Sequence, residues 1–218
     1  MRYLLIFILI LTIGIVKGQP LADLKANRSK AERIILNDND FKAMMLFHET
    51  HLTNKEKFKL VVAVQAEAEK YTPPVLYTMS MVLYMSKRYN DACFWFYVAQ
   101  LRTQYDINRS VDKTVSAADL DGPIGRYINQ YAYEHLDSLE MILPEVIDYV
   151  NDNDEEYDQR WINVFRPGNG IREEDVDKLS VDKSQWPAIK KGTVDVYYTD
   201  FKEFIAKLKQ QQHPQQGQ

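Results

Sequence analysis

The stretch PPVLYTMSMVLYMSKRYNDACFWFYVAQLRTQY, Pro73 to Tyr105, decides the fold. Two helical patterns flank a short polar turn at Arg88-Tyr89-Asn90. Pro73 and Pro74 open the first pattern, because proline is tolerated in a first turn, where an N–H has no intrahelical partner. Leu76, Met79, Met81, Leu83 and Tyr84 follow at helical spacing, and Lys87-Arg88 suits the negative end of the helix dipole. Asn90 or Asp91 caps the second helix, and a turn this short makes the pair antiparallel. Ala92 to Ala99 reads ACFWFYVA, eight apolar residues in a row. A helix apolar all round is packed on more than one side, so the helix from Ala92 to Tyr105 is expected at the centre of the domain.

Working outward, the chain of 218 residues is 45% apolar and 27% charged, which suits one globular domain with a core. Strand-like alternation is short everywhere, and the expected class is all-α, with about seven or eight helices around the central one. Fourteen tyrosines predict an aromatic core whose hydroxyls find partners or water. The net charge of −4 gives no pull towards nucleic acid or an anionic membrane. Cys93 is the single cysteine; it lies in the apolar run and reads as a buried structural thiol.

Residues 1–18, MRYLLIFILILTIGIVKG, have a short basic start, an apolar run from Tyr3 to Val16, and Val16 and Gly18 before Gln19. This is the pattern of a secretory signal peptide cleaved before Gln19, and the run is shorter than a membrane-spanning helix needs. The expected organisation is residues 1–18 as signal peptide, 19–210 as one helical domain and 211–218 as a disordered polar tail. The mature protein is then periplasmic or secreted and free of the membrane.

Further helices are expected at residues 21–36, 41–52 and 55–71, and at 122–143, with Pro144 starting a new turn. Asn151 to Asp158 is an acidic break, and Glu173–Leu179 a short helix. Trp186-Pro187 reads as a docking point before a last amphipathic helix from Asp195 to Lys209.

In the Pro73–Tyr105 hairpin, Leu76, Met79, Ser80 and Leu83 match the first helix of a tetratricopeptide or Sel1-type repeat, and Ala92, Phe96 and Ala99 match the second. The segment resembles one degenerate copy of that repeat, without a second copy at its period and without its closing proline. The longer stretch to Trp161 is similar to small exported bacterial proteins of uncharacterised function. These resemblances imply a helical hairpin and an envelope protein, and no activity.

The chemistry-bearing patterns fall short of their signatures. His48-Glu49-Thr50-His51 puts its histidines three apart rather than four, so the zinc-protease geometry is missing. Asp152, Asp154 and Glu156 lack a calcium loop's glycine, having Tyr157 there, and its closing glutamate, having Asn163. Asn37 to Asp40 fails likewise, and both acidic stretches read as helix breakers in solvated turns. Arg102 and Arg109, with Tyr105 and Asp106, are expected to pair with carboxylates at a helix end, or else to line a polar groove. Asn27 and Asn108 begin N-x-S sequons, relevant only in a eukaryotic secretory pathway. No residue is therefore assigned as catalytic, cofactor-binding or metal-binding. The expected function is non-catalytic: an exported helical protein that binds another protein or peptide, an immunity or inhibitor protein being one version. The alternative is an envelope hydrolase whose site joins His48 or His135 to buried carboxylates.

Overall fold

The computed structural model describes residues 35, 39–40, 42–43, 47, 51–114, 117–164 and 171–212. The expected signal peptide, the helix at 21–36 apart from Ile35, His48 and the sequon at Asn27 lie outside these residues. The described chain is all-helical, with seven α-helices and three short 3-10 turns. The helices are α1 (Asn54–Gln65), α2 (Pro73–Met85), α3 (Tyr89–Arg109), α4 (Ala117–Glu134), α5 (Leu136–Asp152), α6 (Trp161–Val164) and α7 (Trp186–Gln212). None is long and apolar enough to cross a membrane.

Local chemistry sets most of the boundaries. Thr53 and Glu56 form a capping box at the start of α1, each side chain taking the other's backbone N–H. Pro73 and Pro74 occupy the first turn of α2. That helix ends in a Schellman turn: Lys87 N–H donates to Tyr84 O and Arg88 N–H to Leu83 O. Lys87 takes the left-handed conformation there, with φ of 61°. The turn folds α3 back along α2, as the hairpin pattern predicts.

α3 is the hub, packing against α2, α4, α5, α6 and α7. Phe96, fully buried, meets the Tyr77 ring of α2 at 5.4 Å and the Tyr97 ring at 5.3 Å. α4 crosses Phe96 at Gly125, where an added Cβ would lie 3.1 Å from the ring. The tyrosine hydroxyls find partners as expected: Tyr97 donates to Asn129 Oδ1 and Tyr77 to Thr103 Oγ1.

Several boundaries differ from the sequence expectation. The helix expected over 122–143 is two: α4 starts at Ala117, and His135 breaks the chain before α5. Pro144 lies inside α5 instead of starting a turn. It faces solvent, while Leu139, Leu143, Val146 and Val150 hold the buried stripe through it. Glu173–Lys178 is a 3-10 turn. α7 begins at Trp186 rather than Asp195 and runs to Gln212, two residues into the expected tail. Asp40 is 1% exposed, not in a solvated turn; its Oδ1 accepts from Thr72 N–H at the start of α2, and burial pushes its carboxyl up to about 7. Val61 and Val64 of α1 are buried, but Val62 between them faces solvent.

Candidate functional site

From Trp95 to Arg109 every side chain of α3 is buried except three: Gln100, Gln104 and Asn108. They are four apart and share one face, rising about 6 Å per step. Beyond its first turns, the central helix therefore has one open window, and amides fill it. α7 runs antiparallel alongside. Thr193 meets Asn108, Tyr197 meets Gln100, and the Phe201 ring packs on Tyr97 at 4.9 Å. Between the two helices lies an open groove of about 840 Å³. The amide row forms one wall; Tyr197, Phe201 and Phe204, with Thr193, Val196 and Asp200, form the other.

Hydrogen bonds fix the amides in place. Gln104 Nε2 donates to Asn108 Oδ1 at 3.1 Å, and Asn108 Nδ2 donates to Thr193 Oγ1 at 2.8 Å. Tyr197 OH donates to Gln100 Oε1 at 2.8 Å. Gln104 Oε1 has no protein donor among the described residues and stays available in the groove. A wall of oriented amides facing rings offers donors and acceptors beside apolar surface, the lining of a recognition site.

The groove is held open because α7 is fastened at both ends. At its carboxyl end Lys209 pairs with Asp137 and Glu140 of α5, and Gln212 donates to Tyr133 O. At its amino end the anchor is a buried charge cluster. Asp106 accepts from Arg109 Nε at 2.9 Å, from Tyr157 OH at 3.0 Å and from Trp161 Nε1 at 2.6 Å. Arg109 lies between the Tyr105 ring, at 4.0 Å, and the Trp186 ring, at 4.6 Å. Tyr105 OH reaches Trp186 O, and Lys190 pairs with Asp154. Arg102, fully buried, donates to Ala68 O and Asn153 O. Its Nε faces Glu155 Oε1 at 3.9 Å, while Glu155 Oε2 lies 3.8 Å from Arg109. Strand-like contacts between 109–111 and 179–181 complete the junction. Burial, helped by the nearby Glu155 carboxylate, pushes the Asp106 carboxyl up to about 6, while Arg109 and Trp161 pull the other way. Burial also disfavours the Arg109 charge, but Asp106, Tyr157 and Glu155 more than offset it and hold the guanidinium above its ordinary value.

Arg102 and Arg109 thus pair with carboxylates, as the sequence suggests, Arg109 at the very end of α3, and both are buried. The groove lies on the other face, with Asn108 and the amides that sequence reading passed over. Their signal was present: uncharged amide residues at every fourth place, 100, 104 and 108, on one face of the helix. Of the failed motifs, His51 is exposed, as are Asp152, Asp154 and Glu156, while Tyr157 and Asn163 are buried. His135 is exposed and stacks on Tyr131 at 4.1 Å rather than on a buried carboxylate. Among the described residues no three His, Cys, Asp or Glu side chains are grouped to hold a metal ion. The sequon at Asn108 sits in folded structure, with Arg109 and Ser110 buried. No protein-family model, curated protein or solved structure matches the chain.

Proposed function

We infer that this chain is an exported, non-catalytic helical protein that binds a partner protein by holding an extended segment of it in the α3–α7 groove. The observation that carries this is the amide row Gln100, Gln104 and Asn108, the one open window in the buried stretch of α3 from Trp95 to Arg109, set against aromatic side chains. Its step of about 6 Å is close to the roughly 6.6–6.8 Å two-residue repeat of an extended chain, whose N–H and C=O groups on one side recur at that interval. Side-chain amides carry both a donor and an acceptor, so each can meet one such repeat. Held in advance by Thr193 and Tyr197, they lose little freedom on binding.

The test is selection of a random peptide library, displayed on phage, against the mature chain. Gln104→Ala and Tyr197→Ala, each confirmed folded by circular dichroism, serve as comparison. Peptides that bind the parent and are lost on both variants support the reading. Selection that yields nothing, or peptides indifferent to both variants, overturns it.

A further inference from the structure

The groove's charge pattern carries the reading further. Among its lining residues Asp200 alone bears a formal charge. It stands one helical turn from Val196 on one side and from Phe204 on the other, so the three form a row along the rim of α7. Val196 is 60% exposed, which leaves the row open to a bound chain.

The other charges of α7 are already engaged. Lys191 pairs with Asp195, Lys207 lies 3.9 Å from Glu203, Lys190 pairs with Asp154, and Lys209 with Asp137 and Glu140. Lys202 sits over the Tyr198 ring. Of the three acids of α7, Asp200 is the one without an ion pair among the described residues. Its neighbours three and four places along α7 are Tyr197, Glu203, Val196 and Phe204, none of them a cation. Facing it across the groove are neutral amides. At the far, Asn108 end, Lys113 donates to the carbonyls of Ile107 and Asn108, closing the carboxyl end of α3. The groove therefore has a single acid towards its Phe204 end, beside aromatic rings, on a chain of net charge −4.

Resting on the peptide-binding reading above, we propose that the groove selects an extended peptide carrying a lysine or arginine beside a large apolar residue, with the cation on Asp200 and the apolar side chain against Phe201 and Phe204. The geometry fits this pair. From Ile189 to Phe204 the α7 wall is about 22 Å long, the length of six or seven extended residues. A cationic side chain can also lay its aliphatic stem along Val196 while its head reaches the carboxylate. The field of an acidic protein speeds the approach of such a segment.

The experiment uses the same displayed library on the full mature chain, the parent beside Asp200→Asn and Asp200→Lys, followed by affinity measurement of chosen peptides at low and physiological salt. Three results are distinguished. Peptides enriched in Lys or Arg next to an apolar residue, weakened about fivefold by Asp200→Asn and replaced by acidic or neutral sequences on Asp200→Lys, support the proposal; that factor is near the top of the range for an exposed ion pair. Peptides that require Gln104 and Tyr197 but show no basic preference and ignore Asp200 overturn it while leaving the peptide-binding reading intact. No groove-dependent peptide at all overturns both. Asp200 is exposed and outside the core, so its variants fold as the parent does.

Discussion

Trp161 Nε1 donates to Asp106 Oδ2 at 2.6 Å across a separation of 55 positions, and both side chains are fully buried. This bond fastens the segment after α5 to the central helix, and with it the start of α7. The acceptor is a buried carboxylate, and hydrogen bonds to such a group are stronger than those between neutral partners.

Trp161→Phe keeps most of the ring volume and removes the donor. The expected cost is about 1–3 kcal/mol in a urea melt, against less than about 0.5 kcal/mol for Gln211→Ala at the exposed end of α7. Equal midpoints for the two variants would show that the anchor contributes nothing.

Asp106 also gives a pH dependence whose sign is fixed. Burial raises its carboxyl to about 6 in the fold, above the roughly 3.9 of an unfolded chain. The folded state then holds the proton more tightly, so this group's stabilisation is complete below about pH 4 and is lost as pH rises through about 6. Measured by urea melts from acid to neutral pH, the stability of the parent relative to Asp106→Asn should fall by about 2–3 kcal/mol across that window. A difference that grows with pH would contradict the direction.

Cys93 is 1% exposed, and burial pushes its thiol up to about 12. At pH 8 only about one thiol in ten thousand is then ionised, and the thiolate is the reactive form. Ellman's reagent should release no colour from the native protein in the minutes that suffice after unfolding in guanidinium. Prompt reaction of the folded chain would place the thiol elsewhere.

Lys87 holds a left-handed conformation that costs a non-glycine residue roughly 1–2 kcal/mol. Glycine takes it freely but has more freedom to lose from the unfolded state. The balance predicts that Lys87→Gly stabilises the protein by about 0.5–1 kcal/mol, read as a higher denaturant midpoint at unchanged slope. A lower midpoint would mean that the lysine side chain supplies something the turn needs.

The sequence by itself determined the class and the hairpin. Period-3.6 apolar spacing, paired prolines at a helix start and eight consecutive apolar residues from Ala92 are local facts, and the hydrophobic effect converts them directly into a buried helix and its partner. Tertiary structure alone decided which polar residues go inside. Arg102, Asp106 and Arg109 read from sequence as paired charges at a helix end, but their burial could not be read there, because the groups that satisfy them, Ala68 O, Glu155, Tyr157, Trp161 and Trp186, belong to other segments. Pro144 is tolerated because it meets solvent, a matter of which face α5 turns outward. The groove is likewise a product of two helices. Gln100, Gln104 and Asn108 are polar residues on a helix until α7 lies opposite them, and where α7 lies is set by the buried anchor at its start and the Lys209 pairs at its end. Burial energy is proportional to area and can be counted along a chain, whereas the pairing of a buried charge depends on geometry between distant segments, which exists only once the chain has folded.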